Sequence, residues 1–446
     1  MMHEDTTRLL ATAERLIETA RKAGADACDV AVVRSFGRSV SVRLGKVEET
    51  ESAESEDMSL RVFVGRRVAT VSADIHADAQ PLAERAVAMA KVSPEDAFAG
   101  LADSRRLARD ALDLDQFDAS DVDSGTMVAQ ALAMEEAARA VDGVTNSGGA
   151  SVSAGSSGLV LATSSGFAGH RMRSGFSRSV SVIAGEGVKM QRDYDFDSRI
   201  HSADLTAPEA IGRSAGDRAV RRLDPGTVAT GRYPVIFDPR IARGLIGSIV
   251  SAINGSAIAR KTSFLKDRMG ERILPATFTI MDDPLLPRRP GSRSFDGEGV
   301  RGEAMALVEN GVLVNWILDS ATAKELDLET NGRASRSSGG VSPSATNVLV
   351  SPGAMTPAEL VRETGRGLYI DELIGHGTNL VTGDYSRGAS GFLIENGEIT
   401  TPVSELTIAG NLREMLASLA AANDLDERFS IVAPTLRIES MMVAGR

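Results

Sequence analysis

GLYIDELIGHGTNLVTGDYSRGASGFLIENGEITTPVSELTIAG, residues 367–410, is the stretch whose reading decides the fold. Residues 367–373 read as a strand. Asn396-Gly397 stands between two further strand-like runs. A two-residue hairpin turn needs positive φ at both central residues, and Asn followed by Gly supplies this at least cost. A second pair, Asn310-Gly311, separates the apolar runs 304–308 and 312–318. Two such signals in one half of the chain predict a largely antiparallel β domain. Between the strands lies Gly383-Asp384-Tyr385-Ser386-Arg387-Gly388, charged and flanked by glycine.

Working outward, Tyr233–Phe237 predicts a short strand. A helix follows Pro239, with Leu245, Ile246, Ile249, Val250 and Ile253 at helical spacing. Thr356-Pro357-Ala358-Glu359 opens another helix as a capping box, and a last helix is expected over roughly 411–422. Upstream, Asp224-Pro225-Gly226 breaks the chain. The expected division is residues 1–223 as an N-terminal α+β region and 224–446 as the C-terminal domain.

The N-terminal region reads as two units, about 1–110 and 124–223. An amphipathic helix over 6–23 ends at Gly24. Val40, Val42 and Leu44 then alternate with Ser39, Ser41 and Arg43. With Gly45-Lys46 and Gly65-Arg66 as turns, residues 28–73 predict an antiparallel meander with one buried face. Helices are expected near 79–91 and 125–141. The intervening DALDLDQFDASDVD reads as an exposed connector, since it lacks the glycine and closing glutamate of a calcium loop. Residues 144–200, rich in Ser, Gly and Val, predict a second strand set. Thr206-x-x-Glu209 predicts a capped helix to about Leu223. The fold class is α+β.

Composition narrows the function. With 49 Lys and Arg against 61 Asp and Glu, the chain carries a net charge of −12 and no dense basic cluster, which disfavours nucleic acid as a partner. Cys28 is the only cysteine, so neither an intrachain disulfide nor a multi-cysteine metal site is available. The opening MMHEDTTRLL has no apolar signal region, and no apolar run reaches the ~20 residues needed to span a bilayer. The expected location is cytoplasmic.

Motifs for chemistry are sparse. His3, His76, His170, His201 and His376 are the histidines, and no two stand one helical turn apart, as a zinc-peptidase helix requires. Asp371 and Glu372 precede His376, but a strand over 367–373 splits the two carboxylates between opposite faces. Gly297-Glu298-Gly299-Val300-Arg301-Gly302 fits G-x-G-x-x-G, yet a strand-like segment follows where a dinucleotide site needs a helix. No phosphate loop or nucleophile elbow is present, and no catalytic or metal-ligating residue is assigned. Asp384, Tyr385, Ser386 and Arg387 remain as candidate substrate contacts. Arg387 and Asp384 either orient a peptide or pair within the fold.

The 367–410 segment resembles the C-terminal signature of the TldD/PmbA family, peptidases also called modulators of DNA gyrase. The wording Ser386-Arg387-Gly388-Ala389-Ser390-Gly391 resembles the PmbA (TldE) branch, and SFDGEGVRGEAMALVENGVLVNWILDS resembles a second family landmark. The resemblance covers nearly the whole chain and is strongest from about 232. It implies two kinds of subunit, one metal-bearing and one not. Anchored on Arg260-Lys261, the His-Glu-x-x-x-His helix of the metal-bearing branch falls near Gly247, Ser248 and Ala252, none of which is a ligand. The cysteine that branch uses near its C-terminus is also missing. The resemblance thus implies a PmbA/TldE-like subunit of a metallopeptidase complex, with zinc on a TldD-like partner in a heterodimer. Its substrates would be unfolded peptides of the microcin-precursor or antitoxin kind. The alternatives are an independent metallopeptidase with a site built from His170, His201 and His376, and a non-enzymatic regulator that binds gyrase or another protein. A homodimer in isolation is also possible.

Overall fold

The computed structural model describes residues 3–110, 112–337 and 340–445. Helix α1 (His3–Lys22) is followed by strands β1 (Ala27–Arg43), β2 (Lys46–Val64) and β3 (Arg67–Asp74), then by α2 (Ala79–Val92) and α3 (Ser124–Arg139). Strands β4 (Val144–Thr163), β5 (Ala168–Ala184) and β6 (Gln191–Arg199) and helix α4 (Pro208–Arg221) complete the first half. The two strand sets join through β1 and β4 into one antiparallel sheet, ordered β3-β2-β1-β4-β5-β6.

Period-two alternation assigns the two faces of this sheet. Val30 and Val32 of β1 and Val160 and Ala162 of β4 pack with α1 and α2. Val40, Val42, Ala150 and Val152, further along the same face, pack with α3 and α4. The opposite face is built from small residues, among them Gly37, Ser39, Ser153, Gly155 and Ser157. Gly37, Gly155 and Gly175 line up across three strands. At Gly155 a Cβ would lie 2.7 Å from the Phe36 carbonyl oxygen, so only glycine lets the strands approach here.

Several local expectations shift. The first hairpin turns on Leu44-Gly45 (φ 50° and 75°), one residue before the expected pair. Glu135 of α3 sets this position, because its two carboxylate oxygens accept the Leu44 and Gly45 amides at 2.8 Å each. The expected Thr206 capping box does not form. Thr206 donates its amide and hydroxyl to buried Asp197 instead, and α4 starts on Pro208 with no side-chain cap. The acidic connector, of which residue 111 lies outside the described residues, is not simply exposed. Ser174 donates to the Gln116 carbonyl, Arg288 to that of Leu114, and the Leu114 side chain is buried. Asp123, its last aspartate, caps α3.

The second half opens with β7 (Gly231–Phe237), α5 (Pro239–Ala252), α6 (Gly255–Ala259), β8 (Ile280–Asp282), β9 (Met305–Glu309) and β10 (Val312–Leu313). It continues through α7 (Ser320–Glu325), β11 (Ala334–Ser337), β12 (Gly340–Pro343), β13 (Val348–Val350), α8 (Pro357–Thr364) and β14 (Gly367–Ile374). The chain ends with β15 (Asp384–Glu395), β16 (Glu398–Asn411), α9 (Leu412–Ala417), β17 (Leu419–Ala421), β18 (Ile431–Val432) and β19 (Leu436–Ala444). Both Asn-Gly pairs form the expected turns, with φ of 48° and 81° at 310–311 and 52° and 77° at 396–397. The main sheet runs β16-β15-β14-β7-β19-β17, and an added β16–β19 pairing closes it on itself like a barrel. Only β7 and β14 in it run parallel. Helix α5 buries Leu245, Ile246 and Ile249 against it. The expected helix over 411–422 stops at Ala417, because 419–421 is captured as a strand by β19.

Arg333 anchors the second half. It has no exposed surface, and it donates to the Asp282 carboxylate at 2.5 Å and to the carbonyls of Asp282, Glu303 and Asn331. Arg333→Met strands a buried carboxylate and should destabilise the chain by about 3–5 kcal/mol in urea unfolding. Adding Asp282→Asn to that variant should recover part of the loss.

Candidate functional site

The family landmarks of the second half converge. Asp238 caps α5 through the Arg240 amide. Beyond α6, Lys261 adopts a φ of 57°, and the chain turns back so that Phe264 donates its amide to the Leu380 carbonyl at 2.7 Å. The segment that follows Arg260-Lys261 is thus fastened to the loop that enters β15. Along α5, Gly247 and Ser248 are half-buried and Ala252 is fully buried in the core. None of these side chains offers a metal donor, apart from the Ser248 hydroxyl, which is spent on the Gly244 carbonyl. A zinc ion does not fit this donor set.

The four candidate contacts lie on the first strand residues of β15, not in a loop. Alternation separates them. The Asp384 carboxylate accepts from the Thr382 hydroxyl at 2.7 Å and from Asn411 at 3.2 Å, and so fastens the preceding loop to the end of β16. Tyr385 is buried in the core, and burial pushes its phenol up to about 12. Ser386 is exposed and donates its amide to Gly377. Arg387 is half-buried, and its Nε has no partner among the described residues.

The histidines stay apart. His201 is held by Asp115, His76, His170 and His376 are exposed, and the side chain of His3 lies outside the described residues. Among the described residues no three His, Cys, Asp or Glu side chains gather to hold a metal. Cys28 is buried, which pushes its thiol up to about 11. No described helix is long and apolar enough to cross a membrane.

The G-x-G-x-x-G segment is a turn at the heart of the molecule. Asp296, buried ahead of it, accepts the amides of Glu298, Val300 and Ala334. Glu298 reaches Arg61 of β2 at 3.7 Å, and burial raises its carboxyl to about 7. Arg336 of β11 donates to the Gly297 carbonyl and grips Asp29 of β1 at 2.7 Å. These contacts seat the C-terminal domain on the inner end of the small-residue sheet face.

The remainder of that seam stays open as a cavity of about 1140 Å³. Its floor is sheet, with Val33, Ser59, Ser157, Leu159, Arg171 and Arg173; the acidic connector, loop 290–294 and strand β11 close its sides. Besides Arg336, three guanidiniums line it, Arg171 and Arg173 from β5 and Arg293 from the opposite loop. Sequence reading passed over all three. Arg171 and Arg173 at i and i+2 on a strand were a usable signal, whereas Arg293 joins them only through the tertiary fold.

A second cluster ties the two halves together. Arg222 binds Asp193 at 2.9 Å, Asp371 at 2.7 Å and Glu372, while Arg240 binds Asp193 at 2.9 Å. Asp371 and Glu372 therefore meet one cation and are not split between two faces. A bulge between Ile370 and Glu372 breaks the alternation that the sequence reading assumed.

Comparison with known proteins identifies the class. Models of the PmbA/TldA metallopeptidase match in order, with domain 1 over residues 28–90, the central domain over 117–223 and the C-terminal domain over 230–445. The chain belongs to the PmbA/TldD family. It is 37% identical to a Haemophilus influenzae protein named as a metalloprotease PmbA homolog, across 99% of both chains. It is 36% identical to metalloprotease PmbA of Escherichia coli O157:H7, across 94% of this chain and 93% of that protein. A solved structure from Bacteroides thetaiotaomicron, described as a candidate modulator of DNA gyrase, superposes with a TM-score of 0.91 at 27% identity over 98% of each chain. TldE of Thermococcus kodakarensis shares the fold, with a TM-score of 0.86 at 23% identity over 97% of this chain and 99% of its own.

Four carboxylates, counting Asp238, share two guanidiniums in the Arg222 cluster. Burial raises Asp371 to about 6 against the pull of Arg222 and Arg240, and Asp193 and Asp238 add to the rise. Between its unfolded value of about 4 and 6, the native state holds a proton that the unfolded chain has released. Stability from this group is therefore full at low pH and falls as pH rises through that window, by roughly 3 kcal/mol in all. Urea unfolding from pH 4 to 7 should show this slope in the wild type and a flatter one in Asp371→Asn.

Proposed function

We propose that this chain is the PmbA/TldE-like, metal-free subunit of a cytoplasmic two-component peptidase. A TldD-like partner would supply zinc and the water-activating glutamate, and this chain would hold unfolded peptide in extended form. The observation that carries the reading is the donor set on α5, where Gly247, Ser248 and Ala252 stand at the places that bear ligands in the metal-bearing branch. The curated relatives carry the name metalloprotease, and a pair of subunits reconciles that name with a helix that has no ligands.

The cavity supports the holding role. Small side chains such as Ser59, Ser157 and Gly158 leave room for a peptide backbone to approach the sheet. An extended peptide laid along this face is held by shape more than by sequence, and pairing of its backbone with a sheet edge elsewhere would do the same, which suits substrates of the microcin-precursor or antitoxin kind. Asp384, Tyr385, Ser386 and Arg387 lie outside this cavity, on the β15 strand. On this reading Asp384, Ser386 and Arg387 belong to the surface that faces the partner, with Tyr385 packed in the core beneath them.

The test is a peptidase assay on an unfolded peptide with metal quantification. The isolated chain should bind no stoichiometric zinc and release no product, and adding a TldD-like subunit should start cleavage. Stoichiometric metal together with turnover in the isolated chain overturns the proposal.

A further inference from the structure

Four largely buried arginines of this protein are matched with acids. Arg61, Arg222, Arg240 and Arg333 all sit in ion pairs. Half-buried Arg171 and Arg293 and exposed Arg173, which line the cavity, do not. Arg171 donates from Nη1 to the Phe295 carbonyl at 3.1 Å and lies over that residue's ring at 5.6 Å. Arg173 donates to the Pro290 carbonyl, and Arg293 donates to the Ser344 carbonyl at 3.0 Å. The Arg293 Nε is buried with no hydrogen-bond partner among the described residues. None of the three forms an ion pair with a described carboxylate.

The acids nearby are engaged or out of reach. Asp115 is bound to Arg288 and His201, and Asp57 and Asp113, also on the wall, form no ion pair with the three arginines. Asp296 spends both carboxylate oxygens on backbone amides; its charge favours Arg171 and Arg293 but it forms no ion pair with either. The fourth arginine of the lining, Arg336, is committed to Asp29. Burial and the charges of Arg293 and Arg173 draw Arg171 down to about 10 against the opposing pull of Asp296, so Arg171 stands close enough to both other cations to be disfavoured by them. An entering anion relieves both costs, and a planar carboxylate matches guanidinium geometry in a two-pronged contact.

We infer that Arg171, Arg173 and Arg293 anchor a carboxylate of the extended peptide that enters the cavity. The inference rests on the peptide-holding reading above and gives it a polarity, because one charged group of the substrate is fixed at the inner end of the sheet face. Apolar wall residues beside the arginines, among them Val33, Leu112, Phe117 and Met172, suit a peptide side chain next to that carboxylate better than a free inorganic anion.

The probe is an N-terminally labelled peptide of Gly, Ser and Leu, about twelve residues long, made as the free acid and as the amide, with anisotropy read on the isolated full chain. The free acid should bind roughly tenfold tighter than the amide or better. That advantage should vanish in Arg171→Gln and Arg293→Gln. An amidated peptide with one central glutamate distinguishes the source. Regained affinity assigns the anchor to acidic side chains, and no gain assigns it to the chain end. Equal affinity for acid and amide in the wild type, or binding of neither, overturns the inference without recourse to any variant. Binding is read without a partner, so its failure leaves the cleavage test standing, and failure of that test leaves the acid–amide difference standing.

Discussion

Asp29 is the residue on which the architecture turns. It sits fully buried on β1 and receives Arg61 from the neighbouring strand at 2.6 Å and Arg336 from the C-terminal domain at 2.7 Å. Burial alone would raise its carboxyl, but the charges of the two guanidiniums outweigh burial and hold it below the ordinary range. A charge buried at this depth is tolerated only while its partners stay in place. The pair therefore ties the position of the C-terminal domain to the register of β1 and β2. Phe167 and Phe295, packed edge to face at 5.2 Å, add an apolar contact at the same seam.

A single clamp fixes a point but not an orientation. The Arg222 and Arg240 cluster supplies the second, joining β6 and the end of α4 to β14 and the start of α5. With both seams fixed, the small-residue face of the sheet is held open toward the C-terminal loops. The cavity is thus the space left between two ionic seams. Arg336 belongs to seam and cavity alike, gripping Asp29 at the seam while lining the cavity, so the open pocket and the tight interface coexist along one sheet face.

Much of the framework was legible in the sequence because it rests on local rules. The two Asn-Gly turns follow from backbone sterics alone. The Val and Ser alternation over 39–43 identified the buried and polar faces of β1 before any partner strand was known. The Thr356-Glu359 box closes within four residues and formed as read. Its counterpart at Thr206 failed because a distant carboxylate, Asp197, competed for the same hydroxyl and amide. The absence of a metal-ligating pair on α5 was likewise plain, since helical spacing is a property of neighbouring residues.

The candidate site was less legible. Asp384, Tyr385, Ser386 and Arg387 are adjacent in sequence, yet strand alternation sends Tyr385 into the core and leaves Asp384 and Ser386 outside. Asp371 and Glu372 were assigned to opposite faces until a bulge, set by the pairing of β14 with β15, brought them to one arginine. The sequence by itself determined the α+β class, the hairpins, the buried faces and the lack of ligands on α5, because each depends on residues a few positions apart. Only the tertiary structure decided which charges meet. Arg171 and Arg293 are separated by half of the central domain and by α5, and their proximity depends on how two halves of the chain pack, a long-range balance of burial and ion pairing that no local spacing encodes.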